Sequence, residues 1–205
     1  MQLLDCVQQS PEWFDAKCGV PSASNFSKIV TSKGEPSTQA KNYLYQLVGE
    51  RLTGLKTETH QSQAMLRGIE LEAEARSLYE MIYDVDVQQV GLVMHDSTRY
   101  CCSPDGLIGP KGLWESVGLE IKCPLIHTHV SYLLNKKLPT EYVQQVQGSM
   151  LVTGFNQWVF MSYHPGIKSL IITAERDEAF ITKLEAELVT FCDELDRITE
   201  KLRAL

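Results

Sequence analysis

Ser103-Pro104-Asp105-Gly106 and, shortly after it, Gly118-Leu119-Glu120-Ile121-Lys122-Cys123-Pro124 are the stretches on which the reading of this chain turns. The first is turn chemistry, with proline fixing one backbone angle and Asp-Gly accepting tight conformations. The second reads as a strand that Pro124 limits. Strand side chains alternate, so Glu120 and Lys122 share one face while Leu119 and Ile121 point into a core. If Asp105 lies at the end of the neighbouring strand, two carboxylates and one ammonium converge.

That set suits metal-assisted phosphodiester hydrolysis. Carboxylates and a backbone carbonyl, here that of Ile121, suit a hard divalent cation such as Mg²⁺. A lysine beside them can orient the attacking water and balance charge. The plain alternative is a solvent-exposed cross-strand pair, since alternating exposed charges are common on strands.

Outward from this core, Val85–Met94 is β-rich, Tyr100-Cys101-Cys102-Ser103 is short and extended, and Gln157–Tyr163 and Leu170–Thr173 read as two more strands. Together they suggest successive strands of one small sheet. Helices are expected on both sides. Ser10-Pro11-Glu12 is a helix start, with Ser as N-cap and Pro at the first position. A second short helix begins at Ser22–Phe26. A third spans about Thr38–Leu52, with Tyr43, Leu44, Leu47 and Val48 on one side. A fourth spans about Gln63–Tyr83, with Leu71, Ala75, Leu78 and Ile82 as its apolar seam and Met65, Ile69, Glu72, Arg76 and Tyr79 beside it. Glu72 and Arg76 therefore border the buried face, either as an ion pair one turn apart or as a carboxylate aimed at a site. A helix from about Thr140 to Val152 follows. A closing helix carries the seam Leu184, Leu188, Phe191, Leu195, Ile198 and Leu202, packed on the domain or on a partner. The expectation is one α/β domain over 1–205: a helical part at 1–84, then a small mixed sheet with flanking helices at 85–205.

The chain has 205 residues, 43% of them apolar, enough for a substantial core. Its net charge of −7 argues against a nonspecific nucleic-acid coat. The charge is unevenly spread, however. Residues 16–56 hold six bases (Lys17, Lys28, Lys33, Lys41, Arg51, Lys56) against two acids, whereas 175–205 hold nine acids against five bases. An acidic protein can still present one basic groove to a polyanion. No run is long and apolar enough to span a membrane, and Met1–Asp5 lacks the blocks of a signal peptide, so the cytosol is the default location. The six cysteines form no Cys-x-x-Cys pair and read as reduced thiols. His127-x-His129, without a spaced partner, reads as two loop histidines rather than zinc ligands.

The two opening stretches resemble the PD-(D/E)xK nuclease core. More closely, the chain resembles the phage lambda-type exonucleases, also called YqaJ-type viral recombinases. Three further blocks carry the likeness in order: Trp13–Gly19 with Ser22-Ala23-Ser24, Arg67–Arg76, and Tyr142–Met150. The resemblance implies a restriction-endonuclease-like fold and a Mg²⁺-dependent exonuclease, with Mn²⁺ able to substitute. Such an enzyme degrades one strand of duplex DNA from its 5′ end. It also implies a homotrimeric ring, phage or prophage coding in a bacterial host, and a single-strand annealing protein that receives the 3′ overhang. By the same resemblance, Asp105, Glu120 and the Ile121 carbonyl bind metal, with Glu72 in a second carboxylate position. Lys122 assists the water and Gln145 lies near the active site. Lys17, Ser24, Ser103 and Tyr142 contact the terminal 5′-phosphate or the DNA. Lys17 stands where the family has an arginine, and lysine cannot form the bidentate fork, so phosphate preference is expected to weaken or change. Trp13 reads as core, or as the residue that fixes Lys17. Lys28, Lys33 and Lys41 are expected to line the DNA channel.

Three other functions compete with this one. A structure-specific or restriction-type endonuclease would share the core. A catalytically silent DNA-binding recombination module would more plausibly have lost one of Asp105, Glu120 and Lys122. An assembly protein built on the closing helix leaves the convergent acids unexplained.

Overall fold

The computed structural model describes residues 1–57, 63–109 and 117–205. In chain order its elements are β1 (Gln2–Leu4), α1 (Pro11–Lys17), a 3₁₀ turn (Ala23–Lys28), α2 (Ala40–Thr53) and α3 (Gln63–Tyr83). There follow β2 (Asp86–Gln88), β3 (Leu92–Met94), β4 (Cys101–Cys102), β5 (Gly106–Gly109), β6 (Val117–Lys122) and α4 (Ile126–Asn135). A second 3₁₀ turn (Thr140–Tyr142) leads into α5 (Val143–Thr153), β7 (Gln157–Ser162), β8 (Leu170–Glu175) and α6 (Glu178–Arg203). The α/β class with a mixed sheet and flanking helices is as expected.

The strands do not form one sheet. Five make a mixed sheet in the order β2-β5-β6-β7-β8, and three make a separate antiparallel sheet, β1-β3-β4. Among the described residues, only β6 and β7 run parallel within the larger sheet, with Glu120 opposite Phe160 and Lys122 opposite Ser162. A parallel pair needs a long crossover, and α4 and α5 supply it. The β-rich stretch 85–94 is thus cut in two at Gly91. A Cβ at Gly91 would lie 1.9 Å from the Cys6 carbonyl oxygen, so only glycine lets the chain pass the N-terminal segment there.

Two apolar clusters flank β6. Leu119, Ile121, Val159 and Met161 pack with Ala75 and Tyr79 of α3. Trp158, Met150, Leu47, Leu184 and Leu188 belong to the larger cluster that joins α2, α5 and α6. The expected face of α2 is buried, and that of α6 is buried as far as Leu195, with Leu202 at its end 41% exposed; the seam of α3 also frays, leaving Ile82 51% exposed while Tyr79 and Arg76 beside it are buried.

His127 and His129 are not in a loop. Both lie on α4, a helix the sequence reading missed. His129 is fully buried, its Nδ1 2.7 Å from Ser162 Oγ and its Nε2 3.0 Å from the Lys168 carbonyl oxygen. Packing rather than propensity makes this helix, since His, Thr, Val and Tyr are poor formers. All six cysteines are free thiols. Among the described residues, no helix is long and apolar enough to cross a membrane.

Candidate active site

The site forms where β5 ends short of β6. Asp105 sits in the turn before β5, its N–H donating to the Leu119 carbonyl (3.0 Å) as a last ladder bond. Beyond that point the edge of β6 is open, and the Ile121 N–H donates to Asp105 Oδ2 at 2.6 Å. The N–H and C=O of one strand residue leave the same edge, so the Ile121 carbonyl also faces the Asp105 turn. The next carbonyl, that of Lys122, faces the other way and accepts from Tyr163 N–H at 2.8 Å.

Alternation places Glu120 and Lys122 on the α5 side. Glu120 is only 2% exposed, which rules out the exposed cross-strand pair. Its Oε1 accepts from Gln145 Nε2 of α5 (2.6 Å) and lies 2.5 Å from Lys122 Nζ. The Lys122 ammonium also lies 5.3 Å from the centre of the Tyr142 ring. Tyr142 packs in turn on Phe160, their ring centres 5.1 Å apart. Asp105, Glu120, Lys122, Gln145 and Tyr142 are therefore brought together.

The electrostatics follow from burying acids beside each other. Burial, and then the charge of Glu120, push the Asp105 carboxyl well above the usual carboxylate range. Burial alone would pull the Lys122 ammonium down, but Glu120 and Asp105 outweigh it and hold it above the ordinary lysine value. In this arrangement Lys122 is a firmly held cation.

Glu72 lies close enough to the site that its charge acts on Asp105 and that Glu120 and Lys122 act on it, while its Oε1 is paired with Arg76 at 2.5 Å. Arg76 in turn donates from Nε to the Asp105 carbonyl oxygen at 3.1 Å. Burial pushes the Glu72 carboxyl up, Arg76 opposes this, and the charge of Glu120 adds to it. Among the described residues, no three His, Cys, Asp or Glu side chains are gathered into a ready-made metal cluster. The donor set nevertheless fits a hard divalent cation: two carboxylates, crowded enough to raise Asp105, and one strand-edge carbonyl, all oxygen.

Lys17, Trp13 and Ser103 form a neighbouring group. Lys17 ends α1, is 9% exposed, and places Nζ 3.9 Å from the centre of the Trp13 ring. Burial pulls this ammonium below the usual lysine range, and among the described residues no carboxylate pairs with it. The Trp13 indole N–H donates to Ser103 Oγ (3.0 Å) and to the Gly91 carbonyl (3.1 Å). Trp13 thus fixes Lys17, as expected, and also fixes Ser103, which was not foreseen. Ser24 lies at the same junction: Ser22 bridges to Cys101, and the Ser22 and Ser24 hydroxyls are 3.1 Å apart.

Sequence reasoning missed the support beneath Lys17. Glu50 of α2 is buried and accepts from Gly19 N–H (2.9 Å) and Lys56 Nζ (2.7 Å). Lys56 also donates to the Lys17 carbonyl at 3.3 Å. The charge imbalance over 16–56 was the only hint, and Glu50 was counted there merely as an acid. Among the described residues, Lys28, Lys33 and Lys41 make none of the contacts just named. Lys28 stands 5.0 Å over Tyr43, Lys41 5.8 Å over Tyr45, and the Lys33 carbonyl accepts from Lys183 of α6 at 3.4 Å.

Known proteins resemble this chain in sequence and fold. The chain is 33% identical to an alkaline exonuclease from Laribacter hongkongensis, LHK-Exo, with a TM-score of 0.85 over 95% of this chain and 97% of that one. The same values hold for LHK-Exo in complex with dAMP. A phage-related exonuclease from Haemophilus somnus 129PT, at 15% identity and a TM-score of 0.70 over 89% of this chain and 96% of that one, shares the fold. No curated protein gives a significant match. The fold is therefore that of the PD-(D/E)xK exonucleases. Residues 12–156 match the model of the YqaJ-like viral recombinase domain, and with the close structural relative this shows that the chain belongs to that family.

Proposed function

We propose that this protein is a Mg²⁺-dependent exonuclease that digests one strand of linear duplex DNA from its 5′ end and leaves a 3′ single strand for annealing. The observation that carries the reading is the buried Glu120, held by Gln145 and Lys122 beside Asp105, in a chain 33% identical to an exonuclease. Asp105, Glu120 and the Ile121 carbonyl would hold the cation, with Mn²⁺ able to substitute. When bound, the cation polarises the scissile phosphate and lowers the pKa of a water. The chain supplies the rest. Gln145 keeps Glu120 turned toward the Asp105 edge. Lys122, held as an ammonium, donates hydrogen bonds that orient the water and offset the charge growing on the phosphate. Glu72 keeps Arg76 on the Asp105 turn.

Lys17, Ser24 and Ser103 hold the terminal 5′-phosphate. A buried ammonium that no carboxylate among the described residues pairs with is a ready anion site, and the serine hydroxyls add donors. Tyr142 borders the strand that enters. We further propose one nuclease domain over 1–205 that works as a homotrimeric ring in the cytoplasm of a bacterial host, from phage or prophage coding. It would hand its product to a single-strand annealing protein, and Lys28, Lys33 and Lys41 would face the duplex.

Linear and closed circular duplexes of one sequence test this, each incubated with Mg²⁺ and with EDTA. Loss of the linear form alone, in Mg²⁺ alone, is expected. A nicked or linearised circle would make the protein an endonuclease and overturn the reading.

A further inference from the structure

We propose that Gln8, together with Arg76, is a positioning residue for Asp105: two side chains from outside the sheet clamp the carbonyls on either side of the Asp105 backbone. The inference rests on the nuclease reading of this site. Gln8 Nε2 donates to the Pro104 carbonyl at 2.7 Å and to the Val90 carbonyl at 2.9 Å. Arg76 Nε donates to the Asp105 carbonyl at 3.1 Å. Between them, the Asp105 N–H is spent on Leu119 O and its Oδ2 on Ile121 N–H.

Each backbone polar group around Asp105 therefore has a defined partner, and Pro104 has no N–H to satisfy. A residue fixed in this way delivers its second carboxylate oxygen, Oδ1, to one place. The turn precedes β5 and is held to the sheet backbone by one last ladder bond, from Asp105 N–H to the Leu119 carbonyl, so the side-chain clamps add what the ladder does not supply. Holding a reacting group within a fraction of an ångström is worth far more in rate than in stability.

Gln8 reaches the turn through an uncommon backbone. The next residue, Gln9, has φ +67°, a left-handed conformation that non-glycine residues adopt rarely. This bends the chain before α1 and turns residue 8 toward the gap between Val90 and Pro104. Gln8, Glu72 and Arg76 also line one cleft of about 520 Å³. The N-terminal segment, which carries no proposed catalytic group before Lys17, thereby gains a task in the reaction.

The test is Gln8→Met, which keeps the stem and removes the amide, with Gln8→Glu beside it, which sets an acceptor against two carbonyls. Four quantities are read: kcat and KM on a linear duplex, Mn²⁺ binding by electron paramagnetic resonance without DNA, and the melting temperature. Gln8→Met should lower kcat about tenfold, with KM for DNA ends within twofold of wild type. It should weaken Mn²⁺ binding severalfold and leave the melting temperature within a few degrees. Gln8→Glu should lose more in both measures of site geometry, kcat and Mn²⁺ affinity. A raised KM with unchanged kcat would make Gln8 a DNA contact and overturn the proposal. A lowered melting temperature with unchanged kcat and Mn²⁺ affinity would make it merely structural and overturn it too. Should wild type digest no DNA, the nuclease reading fails alone, because the Mn²⁺ comparison still reads the clamp.

Discussion

Asp105 shows most clearly how much one position carries. Its carboxyl is pushed up by burial and by Glu120, so the fold disfavours its charged form. Asp105→Asn keeps an acceptor for the Ile121 N–H and removes the crowded charge. Cleavage should fall by at least about 100-fold, while the melting temperature without metal should stay level or rise. A large loss of stability in this variant would show that Asp105 is structural. Lys122→Ala strands the buried Glu120 with Gln145 alone, so it should lose both cleavage and stability, the latter by about 3 kcal/mol in chemical denaturation. These two residues and Glu120 were legible in the sequence because a strand alternates and two residues apart means one face. Gln8 and the Arg76 contact to Asp105 were not legible, because both bond to backbone carbonyls, which leave no mark in the identities of Pro104 and Asp105.

At the scale of elements, α2 supports the turn that follows Lys17 at the end of α1. Burial alone would raise the Glu50 carboxyl, but hydrogen bonds from Gln46, Lys56 and Gly19 outweigh it and bring it down to about 2. A depressed carboxylate stabilises the fold above its unfolded value, near 4.5, and that contribution is lost as pH falls toward 2. Glu50→Gln should therefore cost on the order of 3 kcal/mol at neutral pH, and its difference from wild type should shrink between pH 4.5 and pH 2. Urea denaturation across that range checks it; a difference constant with pH would contradict the assignment. The variant should also blunt any preference for a 5′-phosphate. The helices with long apolar seams, α2, α3 and α6, were plain in the sequence because burial repeats every three or four residues. Helix α4 was not, since it is held by buried His129 and Tyr132 rather than by propensity. Nor was the division into two sheets, because alternation says which face is buried and not which strand is the neighbour.

For the molecule as a whole, charge has to be reconciled with a polyanionic substrate. With a net charge of −7, attraction for DNA must be local, and the proposal puts it on Lys28, Lys33 and Lys41 as well as at Lys17. Changing those three to Glu together should weaken duplex binding and flatten its dependence on salt, the log–log slope losing up to about three. An unchanged slope would move the channel elsewhere on the surface. The central claim, that hydrolysis begins at a 5′ end and proceeds along one strand, is tested most directly by strand-resolved digestion. The substrate is a linear duplex with a 5′-phosphate on one strand only and a distinct label in each strand, in Mg²⁺. The account predicts mononucleotides from the phosphorylated strand while its complement survives intact. Loss of both strands together, or loss from a 3′ end, would contradict it.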